Sequence, residues 1–287
     1  MKALSHSFFP LRSALRGATT VLLLGVVPRL WAQTPTKEQL DVPLSSPGKP
    51  GLVNVKLVGG SITVVGYGGQ DVVIDATFRP DRRASPSRRE PGAAAGLKRI
   101  ETSNSFDLTA DEKDNRVYIK TNSWQNPIDL TIKVPQRFSL QIGTVQDGDV
   151  IVENVAGELE VSNVNGAIQL NQVSGSAVAT TVNGPVTAIF KSVTAGAPMA
   201  FSTVNGQVDI TFPGSTKAAL KLKSDHGDIY SDFDLVADKS PAKVNRTAQG
   251  GTYRVSIDDW TYGKINGGGA EIMMKSLQGD IYIRKAK

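Results

Sequence analysis

A column of glycines at nine-residue intervals constrains this chain more than any other feature. Apolar residues recur at fixed positions after each glycine, as Val150, Val152 and Val155 do after the first. Apolar residues two apart indicate a short strand with one buried face, because side chains alternate across a strand. A helix needs successive spacings of three and four, which these units lack. The middle of the chain is therefore one β-structural unit copied several times, and its glycines are Gly148, Gly157, Gly166, Gly175 and Gly184.

The residue before each glycine alternates between two kinds along the chain. The glycine column continues through positions 196, 206, 214 and 227, and pairs of gaps then give repeats of 18, 18, 22 and 21 residues. A repeat of two units predicts a coil with two chemically different corners. The polar corner column is Asp147, Asn165, Asn183, Asn205 and His226, and the small-residue column is Ala156, Ser174, Ala195 and Pro213.

Repeats of this length bury their apolar face by stacking on their neighbours. The sequence therefore predicts an all-β protein, a parallel β-solenoid (β-helix) with coils of about 18–22 residues. Asn-Gly pairs also occur in antiparallel hairpin turns, so an antiparallel sandwich is the competing interpretation. The regular alternation of corners favours the solenoid. Asn, Asp and Gly tolerate the left-handed backbone region, which makes the polar column an expected feature of the corners rather than a binding site.

The ends of the chain differ from its repetitive middle. Residues 1–32 are predicted to be a secretory signal peptide, with a basic start, an apolar run from Ala18 to Val27 and cleavage near Ala32. Residues 33–50 are predicted to be a flexible leader, and 51–287 a single solenoid domain. A basic loop at 79–99 and an irregular excursion at 235–266 interrupt it. No segment of the mature chain is long and apolar enough to span a membrane, so the protein is expected to be periplasmic or extracellular.

Composition excludes several classes of function. The formal net charge is +5, but the predicted signal peptide contributes four of those charges, and +1 remains. Such a balance gives no support for nucleic-acid binding. The chain has no cysteine. Disulfides, thiolate metal sites and cysteine nucleophiles are therefore excluded.

Several repeat motifs resemble those of a known family. These are the run from Leu130 to Pro135, the run from Leu140 to Gly148, and Val-Asn-Gly repeated with Val-Ala-Gly157 and Val-Ser-Gly175 between copies. In this order they resemble a bacterial family of exported β-strand-repeat proteins, catalogued as putative adhesins of unknown function. The resemblance is best over residues 128–230 and weaker over 53–78 and 267–287. It implies an architecture and no catalytic residues.

The side chains that could support catalysis are few. His226 is the only histidine of the mature chain, and it occupies a corner position, which favours a plain corner residue. Glu158 and Glu160 share an outward strand face, about 7 Å apart, but the next coil places Ser176 and Val178 beside them. A solvated strand face is therefore the better interpretation. No catalytic residue, cofactor or metal site is predicted.

One surface has more chemical content. Two segments, ending at Tyr230 and at Tyr282, both read Gly-Asp-Ile-Tyr after one polar residue. If the last coil returns to the same face, the two tyrosines stack and their aspartates lie near each other, while Asp209 projects from the coil adjacent to that of Asp228. Aromatic rings beside carboxylates suit carbohydrate, although stacked outward Tyr and Asp are also ordinary solenoid decoration. The candidate surface-binding residues are Asp209, Asp228, Tyr230, Asp280 and Tyr282.

The leading functional hypothesis is an exported, non-enzymatic, adhesin-like interaction or scaffold module of the cell envelope. Its candidate partners are envelope proteins or polysaccharides. One alternative is a polysaccharide lyase or hydrolase that uses carboxylates on the Asp209 and Asp228 face, and another is a regulatory partner in envelope sensing. Terminal coils leave unpaired strand edges, so end-to-end self-association is expected unless caps prevent it. The leader and the segment near Trp260 are the candidate caps.

Overall fold

A computed structural model describes residues 37–78, 108–121, 127–238, 243–249, 252–258 and 260–287. Within these ranges the named secondary-structure elements are β-strands and none is a helix, so the all-β prediction is confirmed. The predicted signal peptide and the predicted basic loop lie outside the described residues. No helix in the described part of the chain could cross a membrane.

The strands follow in chain order. They are β1 Lys37–Val42, β2 Gly51–Lys56, β3 Ile62–Tyr67, β4 Val72–Phe78, β5 Leu108–Lys113, β6 Arg116–Thr121, β7 Ile128–Pro135, β8 Phe138–Gly143, β9 Val150–Glu153, β10 Ala156–Ser162, β11 Ile168–Thr180, β12 Val186–Val193, β13 Met199–Asn205, β14 Val208–Phe212, β15 Ala218–His226, β16 Ile229–Ser231, β17 Val236–Asp238, β18 Lys243–Gln249, β19 Thr252–Asp258, β20 Thr261–Ile265, β21 Ala270–Gln278 and β22 Ile281–Lys285.

Most strands belong to two ladders of parallel pairs within one large sheet. Ladder A runs in the order β6, β2, β8, β10, the second half of β11, β13, β21 and β15. Ladder B runs in the order β7, β3, β9, the first half of β11, β12, β14, β22 and β16. We call one ladder A strand and the ladder B strand that follows it in the chain a layer. Alternate residues of both ladders point into one shared hydrophobic core.

Consecutive layers in the middle of the chain have the predicted spacing. Ala156 pairs with Ser174, 18 residues later, and Val186 pairs with Val208, 22 residues later. The additional residues of the longer repeat lie in the turn at 194–198, between β12 and β13. In this region the alternating apolar pattern therefore predicts both the positions of the strands and the register in which they pair.

The order of the outer layers corrects the prediction of a simple parallel stack. Two layers are out of chain order. The layer formed by β2 and β3 is inserted between the β6–β7 layer and the β8–β9 layer. The C-terminal layer, formed by β21 and β22, is inserted between the β13–β14 layer and the β15–β16 layer. Antiparallel strands extend the ladders, with β5 on β6, β4 and β1 beyond β7, and β20 and β17 beyond β15. The sheet is therefore mixed. Antiparallel partners satisfy backbone groups that a terminal parallel strand would leave unpaired.

Two segments predicted to be irregular contain paired strands. In the predicted flexible leader, β1 pairs with β4 along its whole length, and Val42 and Leu44 are buried. In the predicted excursion at 235–266, β18 and β19 form an antiparallel hairpin, and β20 pairs with both β15 and β17. Composition misled both predictions, because a strand at the edge of a sheet, such as β1, or in a separate hairpin, such as β18 and β19, can form without the strong apolar alternation of a buried one.

Gly166, Gly184 and Gly206 at the polar corner have the predicted positive φ, but the asparagines before them do not. A Cβ atom on Gly184 would lie 2.3 Å from the carbonyl oxygen of Gly166 in the next layer, so stacking of the backbones requires glycine there. Asp147 has a positive φ of 51°, as predicted, but positive φ angles do not occur at Asn165, Asn183 or Asn205. Their side chains form a chain of amide hydrogen bonds instead, with Nδ2 to Oδ1 distances of 2.8 and 2.7 Å.

A column of polar side chains, all of them buried except the half-buried Ser224, supports the same corner from inside. Each member lies three or four residues before a corner glycine and donates a hydrogen bond of 2.8–3.0 Å to the glycine carbonyl of the neighbouring layer. The series of bonds also includes the β21–β22 layer, although that layer is inserted out of chain order. The hydrogen bonding of the polar corner is therefore the same on both sides of the inserted layer. The donors and acceptors are Thr144 to Gly60, Asn163 to Gly148, Thr181 to Gly166, Thr203 to Gly184, Ser276 to Gly206 and Ser224 to Gly279.

Candidate functional site

The outer face of ladder B carries the predicted surface residues near its C-terminal end. Tyr282 pairs in register with Asp209 of β14 on one side and with Tyr230 of β16 on the other. All three side chains point outward, because they alternate with buried core residues. Asp209 and Asp228 were predicted to lie on adjacent coils. The structure corrects this, since the β21 and β22 layer separates them.

The structure brings the two tyrosines together. Their ring centroids are 5.2 Å apart and their planes differ by 11°. Stacking of aromatic residues on neighbouring strands is favourable beyond the burial of their area. Tyr230 is 49% exposed, and β22 is the strand paired with β16 in the described part of ladder B. The ring face of Tyr230 that points away from Tyr282 is therefore open to solvent.

Carboxylates hold the hydroxyl ends of both rings. The Tyr282 hydroxyl donates to Oδ2 of Asp280 over 2.9 Å, and the Tyr230 hydroxyl donates to Oδ2 of Asp228 over 3.3 Å. The backbone N–H of Asp228 donates to Oδ1 of Asp280 over 2.9 Å. This last bond links the neighbouring layers at the point where the aspartates follow their corner glycines.

Arg284 is a member of the site that the sequence analysis did not include. Its Nε and Nη2 atoms donate to the two carboxylate oxygens of Asp209, at 2.7 and 2.9 Å. Its guanidinium carbon lies 5.0 Å from the centroid of the Tyr282 ring. Strand alternation contained the signal, because Arg284 follows Tyr282 by two residues and so shares its face. We call Asp209, Asp228, Tyr230, Asp280, Tyr282 and Arg284 the Tyr–Asp surface.

The ionisation of these groups reflects their contacts. The charge of Asp228 raises the pKa of Tyr230, and the hydrogen bond to Asp280 raises the pKa of Tyr282. The pKa of the Asp280 carboxyl is lowered, mainly by the backbone N–H of Asp228 and then by the Tyr282 hydroxyl. The hydrogen bonds to Asp209 raise the pKa of Arg284. At neutral pH the surface therefore presents neutral phenols fixed beside an ionised carboxylate.

This arrangement has the chemistry of a binding surface. The open ring of Tyr230 offers an apolar plane, and Asp228 beside it accepts hydrogen bonds. A sugar ring has the complementary features, with C–H groups on one face and hydroxyl donors at its rim. Asp209 and Arg284 neutralise each other on the opposite side of Tyr282, because β14 and β16 flank β22. The open end of the stack is therefore the acidic end.

The enzymatic alternative depends on Asp209 and Asp228, which are two strands and two residues apart, so that their Cα atoms lie about 12 Å apart. Both carboxylate oxygens of Asp209 accept hydrogen bonds from Arg284. A general acid also needs a raised pKa, and that of Asp280 is lowered.

The other predicted positions lie outside this surface. Glu158 and Glu160 pair in register with Ser176 and Val178 on ladder A, as expected. His226 is exposed at its corner and pairs in register with Gln278. Across the residues that the structure covers, no cluster of three or more His, Asp or Glu side chains could hold a metal ion.

A family model matches residues 129–283, which is more than half of the chain and includes every residue of the Tyr–Asp surface except Arg284. The chain belongs to the Toastrack DUF4097 family. The sequence-based expectation of membership in a family catalogued as putative adhesins is thereby confirmed. No curated protein matches this Toastrack chain.

Two solved structures are similar to this Toastrack chain. One is a putative cell adhesion protein from Clostridium sporogenes ATCC 15579, with 11% identity, coverage of 88% of this chain and 100% of that chain, and a TM-score of 0.46. The other is a putative adhesin from Bacteroides fragilis NCTC 9343, with 11% identity, coverage of 88% and 97%, and a TM-score of 0.29.

Proposed function

We propose that this protein is an exported, non-enzymatic interaction module of the cell envelope that binds polysaccharide through its Tyr–Asp surface. The observation that carries the proposal is the stack of Tyr282 and Tyr230 with one ring face open. Tyr230 supplies the platform, and Asp228 supplies hydrogen-bond acceptors beside it. The role that follows is adhesion to a carbohydrate surface.

The surface is held in its binding geometry before any ligand arrives. Both tyrosines are on strands, each hydroxyl is bonded to a carboxylate, and Arg284 packs against Tyr282. Side chains that are already ordered lose little conformational entropy on binding. We take the successive layers to be the coils of a β-solenoid. Their stacking would make the outer face of ladder B rigid, which suits weak binding to a polysaccharide at many repeated positions.

Export is the part of the proposal that the N-terminal sequence supports. Residues 1–32 combine a basic start with an apolar run of about ten residues, which is the pattern of a cleaved signal peptide. Expression of the full chain in a bacterial host, followed by cell fractionation and N-terminal sequencing, tests it. Recovery of a chain beginning near residue 33 in the periplasm or medium is expected, and an intact N-terminus in the cytoplasm would contradict it.

A glycan array tests the binding function. Labelled mature protein is compared with a variant carrying both Tyr230→Ala and Tyr282→Ala. We expect the wild type to bind a subset of polysaccharides or oligosaccharides and the double variant to lose that binding. The double substitution removes both rings of the apolar platform, so the loss should be clear when many modules bind one polymer.

The matched control is Tyr118→Ala. Tyr118 is also an exposed tyrosine on a parallel strand, but it lies on β6 of ladder A. The control should bind glycans as the wild type does, and all three proteins should share the same circular dichroism spectrum. Equal glycan binding by the double variant and the control would refute the proposed site.

A further inference from the structure

The polar corner carries a row of aliphatic side chains on its outer side. Equivalent positions of neighbouring layers lie side by side, as Val182 and Val204 do before the paired Asn183 and Asn205. Five of the six side chains in the row are 36–45% exposed, and Val164 is half-buried. We call this row the aliphatic ridge, and its members in spatial order are Val58, Val145, Val164, Val182, Val204 and Leu277.

The ridge is continuous in space although its residues are not in chain order. Val58 belongs to the inserted β2–β3 layer and Leu277 to the inserted β21–β22 layer, and both extend the row. The β15–β16 layer has Asp225 at this position, where the ridge ends. Six residues at a spacing of about 4.8 Å make the ridge about 24 Å long. Single exposed apolar residues are ordinary, but a contiguous exposed row indicates an interaction surface.

The spacing of the ridge indicates what would cover it. Rows of aliphatic side chains that repeat at the strand spacing interdigitate with a second row of the same repeat, as they do between the sheets of a steric zipper. A second copy of this chain presents the same row at the same spacing. The ridge therefore fits another copy of itself.

The charges beside the ridge indicate how two copies would be oriented. On the ladder A side, Lys56 and Lys275 each lie two residues before a ridge residue and so share its outer face. On the ladder B side, Asp149 and Asp280 each follow a corner glycine. A twofold axis along the ridge brings the lysine side of one copy against the aspartate side of the other. A twofold axis across the ridge would instead place Lys56 of one copy opposite Lys275 of the other.

We propose that the aliphatic ridge is the interface of a parallel, side-by-side dimer, in which two copies of this chain pack layer against layer about a twofold axis along the ridge. Such an interface is isologous, because the same patch is used on both copies. Lys275 of one copy lies opposite Asp280 of the other, in the same layer. This contact is separate from the end-to-end association that β20 prevents.

The size of the interface makes the dimer a weak one. The strip is about 24 Å long and about 10 Å wide, the distance between two packed sheets. Its area is well below the roughly 800 Å² per partner of a standard stable complex. We therefore expect a dissociation constant between about 1 μM and 1 mM.

The parallel arrangement places both Tyr–Asp surfaces at the same end of the dimer. A polymer that is long enough to engage both surfaces then gains avidity without any new contact. This consequence rests on the proposed polysaccharide binding. Dimerisation itself is measured without ligand, so the two proposals can fail separately.

Sedimentation equilibrium of the mature protein at concentrations up to about 1 mM tests the dimer. The ridge variant carries Val182→Lys and Val204→Lys, and each substitution occurs twice in a symmetric dimer. It should dimerise at least about tenfold more weakly than the wild type, because four charges enter the apolar strip.

The matched control carries Val178→Lys and Ile189→Lys. These residues are exposed to a similar degree, at 44% and 39%, but lie on the outer faces of ladders A and B, away from the ridge. The control should dimerise as the wild type does, and circular dichroism should show that all three proteins are folded. A wild type that stays monomeric, or equal dimerisation of the two double variants, would overturn the proposal.

Disulfide trapping tests the orientation and does not depend on the lysine variants. The chain has no cysteine, so an introduced cysteine reports one contact. Val58→Cys alone and Leu277→Cys alone should each form covalent dimers on mild oxidation, because each position faces its own counterpart. Val178→Cys is the control and should remain monomeric. Covalent dimers that form only when the Val58→Cys and Leu277→Cys proteins are mixed would refute the parallel arrangement, and none in any sample would refute the ridge as the interface.

Discussion

The hydroxyl of Thr203 donates a hydrogen bond of 2.8 Å to the carbonyl oxygen of Gly184, 19 residues earlier in the chain. Thr203 is 4% exposed, so this bond lies inside the molecule. The same contact recurs from layer to layer along the polar corner. It ties the side chain of one layer to the backbone of the next and so fixes the stacking that positions the outer faces.

Thr203→Val should therefore destabilise the protein. The substitution keeps the shape of the side chain but leaves the Gly184 carbonyl without this donor, which should lower the free energy of unfolding by about 1–2 kcal/mol. Urea denaturation measures the change. The control is Thr63→Val on the outer face of β3, where the effect should stay within about 0.5 kcal/mol. Equal effects of the two substitutions would contradict the role of the buried bond.

The corner glycines should tolerate no side chain. Gly184→Ala would place a Cβ 2.3 Å from the carbonyl oxygen of Gly166, at a φ of 152°. The layers must then separate, and the free energy of unfolding should fall by about 2 kcal/mol or more. Gly68→Ala is the matched control, because nothing lies within 4 Å of its added Cβ. The control should be neutral or slightly stabilising, and a stable Gly184→Ala protein would disprove the close stacking.

The phenol of Tyr282 should ionise at higher pH than an ordinary tyrosine. Its pKa is raised mainly by the hydrogen bond to Asp280. Asp280→Asn removes the carboxylate charge, so the pKa of Tyr282 should move back toward the ordinary value of about 10. Carbon-13 NMR of labelled tyrosine, titrated with alkali, follows each ring separately. A Tyr282 titration curve that Asp280→Asn leaves unchanged would exclude this hydrogen bond in solution.

Asp280 and Tyr282 should make the free energy of unfolding depend on pH. The folded pKa of Asp280 is lowered, so its contribution is present above the unfolded value of about 3.9 and is lost as the pH falls through the folded value. The folded pKa of Tyr282 is raised, so its contribution is present below about pH 10 and is lost as the pH rises through the folded value. Urea denaturation across this range should show both slopes, and Asp280→Asn should flatten both.

The antiparallel strand β20 should protect the protein from end-to-end association. β20 covers the edge of β15 along five residue pairs. Deletion of 235–266 would expose that edge, and oligomers should appear in multi-angle light scattering. Deletion of 243–258 is the control, since it removes the β18 and β19 hairpin and keeps β17 and β20. A monomeric 235–266 deletion variant, folded by circular dichroism, would show that the edge needs no cover.

Much of the fold could be predicted from local pattern. Alternation such as Ile128, Leu130, Ile132 fixes strand and buried face together, because the period of side chains in a strand is two. The order of the layers could not be predicted in this way. Strands with the same alternation of apolar and polar residues could pair with one another equally well. Nothing in the local sequence therefore indicates that β2 pairs with β6 and β8. That choice depends on distant pairings and on the antiparallel strands at each end.

The candidate site was predictable in part for the same reason. The repeated Gly-Asp-Ile-Tyr segment indicates a shared conformation, and the structure places Tyr230 beside Tyr282. Arg284 was identifiable by strand alternation, but its pairing with Asp209 required knowledge that β22 lies against β14.

The most direct test of the central claim follows each tyrosine ring by NMR during titration with an oligosaccharide selected on the glycan array. The chain has six tyrosines, and uniform labelling of their rings resolves Tyr230 and Tyr282 from Tyr118 and Tyr262. Polysaccharide binding at the Tyr–Asp surface predicts saturable shifts of Tyr230 and smaller shifts of Tyr282, with Tyr118 and Tyr262 unmoved. Saturable binding that leaves the Tyr230 ring signals unchanged would contradict the claim.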